Sequence, residues 1–471
     1  MGSQAELDIG GVCFDSWKDG VDPAIMVLFS ESEKQCTRYP VPPEAESVLD
    51  EGEEWPFYKV QYRSTIQTFK KRLEFFGFTL DVAKRVFEIA RQEEIKDIQR
   101  SIKLWLDRAT SLESENSIIA RYRRGLELVS SADFDSWIEA IRGAYRSPAS
   151  DYPDEIRTLA DHFQPVLRTT GYVRFPGTVD PRFRLRLELE AATTDEVVLD
   201  VSELVNDECY SLSSPMTEYA RDELPSPERE RCHIIILTEG STDQFYLERA
   251  FALFHPELAD YVSFLDFNGW NVPGGASFLE SMIRSFMAAG IRDRIVAIFD
   301  NDTAGFASHQ RLARLALPSN IRVLRYPDID LAKSYPTLGP SGTVTMDVNG
   351  LAASIELYLG EDVVRDDGGD LIPIQWKGFD SSLRRYQGEI TDKKGCWKRF
   401  SEKLARVGDD RWSREVTDWR DLHLVTNTLC RAFAVADGEE LIRSVADQGQ
   451  EADEPDPGVP NQQQNMDVAD A

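Results

Sequence analysis

Four acidic residues follow two apolar segments, at positions where they could bind a metal ion or transfer protons. Residues 234–237 are all apolar and are followed by Glu239 and Asp243. Residues 295–299 are equally apolar and are followed by Asp300 and Asp302, with Asp300 placed 61 residues after Glu239. Open α/β sheets bind ligands at the carboxyl ends of their strands. If the two strands are adjacent, these carboxylates converge at one edge of the sheet.

A group of carboxylates at one edge predicts a site for a hard cation. Like charges at short distance repel one another unless protons or cations intervene. Mg²⁺ suits such a site, because it accepts a few carboxylates and keeps waters that a phosphate substrate can replace. A structural alternative stays open, since Asp302 or Thr303 would also cap a helix that begins near Ala304.

The sequence excludes several other kinds of site. Asp300-Asn-Asp302 resembles the opening of a calcium loop, but Ala304 and Arg311 stand where that loop needs an oxygen ligand and a Glu. The chain has no G-x-x-x-x-G-K-[ST] motif and no G-x-G-x-x-G after a strand, which excludes a P-loop ATPase. Its six cysteines include no C-x-x-C pair, which argues against a zinc ribbon and a disulfide framework.

From residue 232 onward, strand-like and helical segments alternate along the chain. This alternation predicts a parallel sheet covered by helices on both faces, which would bring the acidic residues to one edge. The predicted strands are 233–238, 262–267, 294–299 and 321–325, and the predicted helices are 242–253, 276–289, 304–315 and 351–359.

The first 205 residues mix both periodicities. Helices are predicted at 79–108 and 133–145 from three- and four-residue apolar spacing. Strands are predicted at 7–14, at 24–30 and at 182–190, where charged and apolar residues alternate, with 197–201 as a neighbour. The acidic run at 44–54 is interpreted as a solvated loop.

The motifs of residues 231–360 resemble the Toprim domain, which topoisomerases, primases, the RecR and OLD families and small maturation ribonucleases share. The resemblance rests on E-G-x-x-D after the first strand, Asn-Gly269 after the second, and F-D-x-D-x-x-G after the third. It implies that Glu239 is a general acid/base or metal ligand and that Asp300 and Asp302 bind Mg²⁺. Asp243 and Glu356 resemble further acidic ligands of OLD-like nucleases, so one or two Mg²⁺ or Mn²⁺ ions are expected.

A lysine often assists in the OLD-like group. Lys333 is the first candidate, and the sequence does not separate it from Lys377, Lys393 or Lys394. A primase or a RecR-like protein should bring a zinc site, but the cysteines and five histidines offer no ligand cluster. The roughly 110 residues after the sheet are too few for the DNA gate of a topoisomerase. Nuclease is therefore the favoured branch.

The beginning of the chain resembles the bacterial HEPN/Toprim N-terminal domain over about 1–205. The resemblance rests on the Glu6-Leu-x-Ile-Gly-Gly11, Asp22-Pro and Val60-Gln-Tyr-Arg-Ser-Thr65 segments. It implies a phage-defence effector whose front half senses or docks and whose back half cuts nucleic acid. The pair Arg157 and His162 fits the R-x4-6-H motif of HEPN ribonucleases, although a helix-surface pair is the simpler interpretation.

Charge is distributed unevenly along the chain. The 53 Lys and Arg residues against 82 Asp and Glu give a net charge of −29, which argues against nonspecific binding of polyanions by the whole surface. Residues 375–431 instead carry a net positive charge, with 13 basic and 9 acidic residues. Trp376, Tyr386 and Trp397 interleave with this basic segment, a combination typical of surfaces that contact backbones and stack bases, although wet basic helix faces remain an alternative. The candidate nucleic-acid-binding residues are Arg384, Arg385, Lys393, Lys394, Lys398 and Arg399.

These observations predict an α/β protein with an N-terminal α+β domain, a Toprim domain that has a Rossmann-like four-stranded parallel sheet, and a helical C-terminal extension. The predicted segments are an N-terminal domain at 1–205, a linker at 206–230, a catalytic domain at 231–360, a basic extension at 361–436 and a disordered acidic tail at 437–471. The absence of a bilayer-length apolar run and of signal-peptide features predicts a cytoplasmic protein with no membrane partner.

The predicted function is metal-dependent phosphodiester hydrolysis of DNA or RNA. Two alternatives stay open: a non-catalytic adaptor that keeps the Toprim fold to bind a partner or nucleotide, and a metal-independent ribonuclease that uses Arg157 and His162. The sequence leaves open whether a separate ATPase or sensor partner, or self-association into a homo-oligomer, is needed.

Overall fold

The computed structural model describes residues 2–39, 58–108, 113–131, 133–146, 180–267, 269, 272–340, 342–407 and 418–451. The predicted loop at 44–54 and the pair Arg157 and His162 lie outside these described residues. The chain divides into two compact units, one formed by Met1–Ala220 with Ala434–Ala471 and the other by Arg221–Phe433.

The first unit contains a five-stranded antiparallel sheet in the order β2-β1-β5-β4-β3. Alternate residues of β1, Ala5, Leu7 and Ile9, are buried, so one face of that strand packs into the core. The last strand along the chain, β5, lies between β1 and β4 and is antiparallel to both. The strands are β1 (Gln4–Ile9), β2 (Val12–Lys18), β3 (Lys34–Arg38), β4 (Tyr58–Ser64) and β5 (Val197–Asp200).

Eight helices accompany this sheet in the described sequence up to residue 223, and the helix Ala434–Glu451 joins the same unit by packing against the long helix α3. The predicted helices at 79–108 and 133–145 are confirmed as α3 and α5. The helices are α1 (Pro23–Met26), α2 (Ile66–Phe75), α3 (Leu80–Arg108), α4 (Glu113–Ser131), α5 (Phe134–Arg146), α6 (Pro181–Ala191), α7 (Ser202–Asn206) and α8 (Met216–Glu223).

The strand predicted at 182–190 is wrong, because this segment forms helix α6. Asp180 caps the helix by accepting the N–H of Arg182, and Pro181 occupies its first position, where a missing N–H does no harm. The alternating charges are spaced for a helix as well. Arg184 pairs with Glu188 four residues on at 3.0 Å, and Arg186 pairs in the same way with Glu190. The segment 197–201 consequently pairs with β1 and β4 instead.

Two further strand predictions in this half of the chain differ from the structure. The strand predicted at 24–30 begins instead as helix α1, because Asp22 accepts the N–H of Ala24 and Pro23 fits the first helical turn. The strand predicted at 7–14 is broken into β1 and β2 by Gly10 and Gly11, whose φ angles are 60° and 84°.

Two segments predicted to lack regular structure contain helices. The predicted linker at 206–230 holds all of α8 and most of helix α9 (Ser226–Arg231), and Met216 and Ala220 are buried there. The predicted disordered tail at 437–471 is helical as far as Glu451, because Leu441, Ile442 and Val445 are buried on one face. Residues 452–471 lie outside the described residues.

The second unit is built on the four-stranded parallel sheet that the sequence predicts, in the order β10-β8-β6-β7. All six residues of the central strand β8 are buried, as expected for a strand covered on both faces. The sheet strands are β6 (Ile234–Leu237), β7 (Val262–Phe264), β8 (Arg294–Phe299) and β10 (Ile321–Arg325), and the helices are α10 (Ser241–Phe254), α11 (Ala276–Ala289) and α12 (Thr303–Ala313). Its core includes Leu237, Leu279, Ile283, Ile295, Phe299 and Leu312.

A second four-stranded sheet lies in the same unit, and the sequence did not predict it. Its order is β12-β11-β14-β15, and β14 with β15 forms an antiparallel hairpin inside the segment predicted as a helical extension. The remaining elements are the two-residue strands β9 (Asn301–Asp302) and β13 (Ala352–Ala353), β11 (Tyr335–Gly339), β12 (Gly342–Met346), β14 (Ile374–Asp380), β15 (Arg385–Ile390), α13 (Lys393–Val407) and α14 (Arg420–Cys430).

The helix predicted at 351–359 is also wrong. Strand β13 pairs with β9, and only a short 3-10 turn at Ile355–Tyr358 follows it. Leu357 and Tyr358 are both buried, so this turn packs into the core and does not form an amphipathic surface helix. Across the described residues, no helix combines the length and the apolar character needed to cross a membrane.

Candidate metal and catalytic site

The adjacency of strands β6 and β8 brings the two acidic motifs together. The strands run parallel, with Leu237 opposite Ala297, so both carboxyl ends meet at one edge of the sheet. The N–H of Asp300 donates a 2.9 Å hydrogen bond to Oε1 of Glu239 across that edge. The convergence that the sequence predicts for these two residues is therefore present in the structure.

Glu239 and Asp243 hold protons more tightly than ordinary carboxyl groups. Burial, followed by the charges of Asp302 and Asp243, raises the pKa of Glu239 to about 8, against a usual value of 4.5. Asp243 is the third residue of α10 and is itself buried. Burial and then the charge of Glu356 raise the pKa of Asp243 to about 7. Both groups therefore titrate near neutral pH, the range in which general acids and bases are effective.

Asp300 is the most strongly perturbed carboxyl group of the edge. Burial raises its pKa well above the usual value, and the charges of Asp243, Glu239, Asp302 and Glu356 add to the shift. Its Oδ1 atom is buried and has no hydrogen-bond partner among the described residues. A buried carboxylate oxygen without a partner is destabilising, and bound cations are a common reason for one.

Asp302 has the structural role that the sequence left open. Its Oδ1 accepts the N–H of Gly305 at 2.7 Å, which caps helix α12. Its Oδ2 accepts a 2.6 Å hydrogen bond from Nε2 of Gln387 on β15. Each carboxylate oxygen can accept a second partner, so this cap leaves Asp302 able to contact a cation.

Glu356 is positioned by the β13 strand, which pairs with the Asn301–Asp302 segment. The side chain is 2 % exposed, and its Oε2 accepts a 2.5 Å hydrogen bond from Oγ of Ser354. Its Oε1 lies 3.8 Å from Nζ of Lys393. Glu356 thus belongs to the acidic group of Glu239, Asp243, Asp300, Asp302 and Glu356, which we call the carboxylate edge.

The structure distinguishes the candidate lysines. Lys393 is half-buried beside the carboxylate edge. Burial lowers its pKa, but the charges of Glu356, Asp300, Glu389 and Asp243 outweigh that effect and raise the pKa above its usual value. Lys333, the first candidate, is exposed and pairs with Asp330 at 2.7 Å. The structure does not bring Lys333 to the carboxylates.

Four other candidate basic residues are exposed, and two of them lie near an acidic side chain. Lys377 pairs with Glu389 at 2.7 Å, and Lys394 is exposed. Lys398 is exposed and lies 3.9 Å from Glu402, and Arg384 is exposed at the hairpin turn with a φ of 54°.

Two of the candidate arginines make contacts with other residues of the fold. Arg399 donates to the carbonyl of Val363 at 2.7 Å, which gives it a structural contact. Arg385 lies 4.0 Å from the Phe306 ring and donates to the carbonyl of Gly350 at 3.2 Å.

Several residues that sequence reasoning missed hold the edge in place. Asn301 is fully buried, accepts the N–H of Gly350 and donates to Asp328 at 3.0 Å. The hydroxyl of Thr303 donates a 2.7 Å hydrogen bond to the carbonyl of Tyr386, and this bond holds strand β15 next to Asp302. Arg325 ends strand β10 at the same side of the sheet, and that position at a strand's carboxyl end was the signal that could have identified it.

The acidic side chains are of the type that binds a hard divalent cation, but their oxygen atoms are not yet arranged around a common point. Carboxylate oxygens are the ligands that Mg²⁺ and Mn²⁺ prefer. Within the part of the chain that the structure describes, no three Asp, Glu, His or Cys side chains already converge as metal ligands. The unpartnered Oδ1 of Asp300 supplies one free ligand atom, and binding would require rotation of neighbouring carboxylates toward it.

Gly305 allows helix α12 to approach the carboxylate edge. A Cβ atom at this position would lie 2.3 Å from the carbonyl oxygen of Asp300 and 3.0 Å from Oε1 of Glu239. We expect Gly305→Ala to lower the free energy of unfolding by about 1–3 kcal/mol through overpacking, despite the better helix propensity of Ala. Denaturant unfolding measures this change. Gly378→Ala, where a Cβ meets open space, should stay within about 0.5 kcal/mol, and equal stability of the two variants would contradict the packing described here.

The two units define a mixed α/β protein that carries a carboxylate edge on a parallel sheet. Residues 1–223 match the family model described as HEPN/Toprim N-terminal domain 1, so the chain contains an N-terminal HEPN/Toprim-associated domain. No curated protein and no solved structure matches the chain. The matched segment ends before Glu239, so this comparison bears on the N-terminal domain only.

Proposed function

We propose that this chain is a Toprim-type hydrolase that cuts phosphodiester bonds of nucleic acid at the carboxylate edge with the help of Mg²⁺ or Mn²⁺. The single observation that carries the proposal is the buried, unpartnered carboxylate oxygen of Asp300 among four other acidic side chains. The HEPN/Toprim-associated domain supports a nuclease-related role. A defence or nucleic-acid-processing effector is the setting that this combination favours.

A cation would be held by Asp300, with Glu239, Asp243, Asp302 and Glu356 as further candidate ligands. When bound, it supplies a positive charge that neutralises the phosphate and lowers the pKa of a bound water. The protein residues hold the carboxylates ready for it, since Asn301 and Gln387 fix the Asp300–Asp302 segment from two sides.

Glu239 is the best candidate for moving a proton. Without a bound cation its pKa is raised to about 8, so protonated and ionised forms are both present near neutral pH, and the ionised form would accept a proton from the attacking water. Asp300 orients the Glu239 side chain, because the backbone N–H of Asp300 donates a 2.9 Å hydrogen bond to Oε1 of Glu239.

Two cationic side chains are placed to contact a phosphate. Lys393 lies 3.8 Å from Glu356 and can reach an anion that approaches the carboxylate edge. Arg385 lies against Gly350, and a Cβ at Gly350 would meet guanidinium nitrogens of both Arg385 and Arg325 at 3.1 and 3.3 Å. Charges of this kind stabilise the negative charge that develops on a phosphate in the transition state.

A cleavage assay tests the proposal directly. Supercoiled plasmid, single-stranded DNA and RNA are incubated side by side with the full chain in Mg²⁺, in Mn²⁺ and in EDTA. The proposal expects cleavage of at least one substrate with either cation and none in EDTA. Cleavage that persists in EDTA would contradict it, as would the absence of cleavage under every condition by a protein that is folded.

Lys393 and Lys333 form a matched pair for the same assay. We expect Lys393→Met to lower the cleavage rate by about 10- to 100-fold, because it removes a charge next to the reacting phosphate. Lys333→Met removes an exposed lysine that pairs only with Asp330 among the described residues, and it should keep the wild-type rate. The reverse ranking would assign the assisting lysine to Lys333.

A further inference from the structure

The β14–β15 hairpin carries three aromatic side chains, and the middle one, Tyr386, contacts the other two. The ring centroids of Phe379 and Tyr386 are 5.0 Å apart, and those of Trp376 and Tyr386 are 5.7 Å apart. Phe379 and Tyr386 are 53 % and 51 % exposed. Single exposed aromatic residues are ordinary, but a contiguous group of this kind indicates a binding surface. We call Trp376, Phe379 and Tyr386 the aromatic platform.

The platform is joined directly to the carboxylate edge. The carbonyl of Tyr386 accepts the hydroxyl of Thr303, and the next residue, Gln387, donates to Asp302 at 2.6 Å. Tyr386 and Gln387 are consecutive residues of β15, so their Cα atoms are about 3.8 Å apart and their side chains point to opposite faces of the strand. A nucleotide chain that stacks on the rings would therefore pass around the outer strand β15 to reach the carboxylate edge.

The charge around the platform suits a polyanion. Arg384 is exposed at the turn next to the rings and pairs with no acidic side chain among the described residues. Lys377 is exposed on the neighbouring strand, although Glu389, 2.7 Å away, offsets its positive charge. Arg385 follows Arg384 on the side that faces Phe306. Basic groups beside exposed rings are the combination that binds single strands, with backbone contacts from the cations and stacking on the rings.

We propose that the aromatic platform binds unpaired nucleotide bases by stacking and thereby selects single-stranded segments of DNA or RNA as the substrate of the carboxylate edge. This inference rests on the proposed function. Bases in a duplex are already stacked on their neighbours and offer no free face, whereas unpaired bases stack on aromatic side chains whatever their sequence. Phe379 and Tyr386 are directly opposed across the hairpin, which also stabilises it but leaves both rings uncovered on the solvent side.

Binding and cleavage are measured separately to test this inference. Fluorescence anisotropy follows the full chain with labelled oligothymidine, oligouridine and a duplex, each of about 20 nucleotides. Ca²⁺ replaces Mg²⁺, and a denaturing gel checks that the strands stay intact. Phe379→Ala and Tyr386→Ala should each weaken single-strand binding by about tenfold, while Tyr386→Phe should bind like wild type, because Phe also stacks. Val344→Ala, an equally exposed residue on the far strand β12, is the matched control and should change nothing.

An abasic oligonucleotide separates stacking from a structural role. Wild type should bind it about tenfold more weakly than oligothymidine, and Tyr386→Ala should cause no further loss. Equal binding of intact and abasic strands by wild type, or unchanged affinity in both alanine variants, would overturn the inference even if cleavage occurs. Stacking-dependent binding without cleavage in any cation would instead overturn the proposed hydrolase and leave the platform in place. Oligothymidine and oligouridine together report whether DNA, RNA or both are bound.

Discussion

Replacing Glu239 with Gln is expected to lower the rate of metal-dependent phosphodiester cleavage by about 10²- to 10⁴-fold while the protein stays folded. Gln has nearly the shape of Glu, and its side-chain oxygen can still accept the N–H of Asp300 that Glu239 accepts at 2.9 Å. The substitution removes the negative charge and the titrating proton. It therefore separates the chemistry of this carboxyl group from its role in holding the edge together.

The measurement is the initial rate of cleavage in Mg²⁺, with thermal unfolding as a check of the fold. Glu248→Gln is the matched control, because Glu248 is an exposed acid on the α10 helix that carries Asp243. It should cleave at the wild-type rate. Glu239→Gln cleaving within a few-fold of wild type would mean that the proton transfer and the cation site lie elsewhere.

Asp300→Asn is expected to stabilise the protein at pH 8 in a metal-free buffer, although it should abolish activity. Glu239 and Asp243 have raised pKa values, and burial with four neighbouring charges raises the pKa of Asp300 well above its usual range. The folded state then binds more protons than the unfolded state, so the stability contributed by these groups is present at acidic pH and is lost as the pH rises toward about 8. Asn at position 300 removes one titrating group with a raised pKa from the carboxylate edge, so the variant should lose less stability over this interval.

This prediction is measured as the unfolding free energy of both proteins between about pH 5 and pH 8 in EDTA. Wild type should lose more stability than Asp300→Asn over that interval, and added Mg²⁺ should restore wild type at pH 8 but not the variant. Other carboxylates with lowered pKa values, such as Glu280, affect both proteins alike and cancel in the comparison. Parallel pH profiles would show that the carboxylate edge does not carry the predicted repulsion.

The parallel sheet and the meeting of Glu239 with Asp300 were predictable because both depend on local patterns. The strands are short apolar runs, and the acidic residues follow them directly. Parallel pairing of such strands brings their carboxyl ends together wherever the remaining chain goes. The approach of Glu356 was predicted as well, but from a resemblance and on a wrong helix.

The contacts of β15 were not predictable, because they join residues far apart in the sequence. Gln387 and Asp302 are separated by 85 residues, and nothing in the local pattern of either indicates the other. Lys393 follows the same strand, so its place beside Glu356 depends on that pairing. Local spacing could not rank it above Lys333, which the structure places in an exposed pair with Asp330.

Helix α6 illustrates a different limit. Arg, Leu and Glu alternate with a period of two over residues 182–190, which is typical of a strand with one wet face. The same residues satisfy a helix, because charges of opposite sign recur four positions apart and Asp180-Pro181 supplies its start. Both faces are buried, so the usual contrast between a wet and a dry side is absent.

Calorimetric titration of the metal-free protein with Mn²⁺ tests the central claim most directly, because it requires neither a substrate nor an activating partner. We expect one or two ions to bind wild type, and we expect Asp300→Ala to lose that binding while Asp330→Ala, at an exposed acid away from the carboxylate edge, retains it. Absence of Mn²⁺ binding by wild type, or unchanged binding by Asp300→Ala, would contradict the assignment of the carboxylate edge as a metal site.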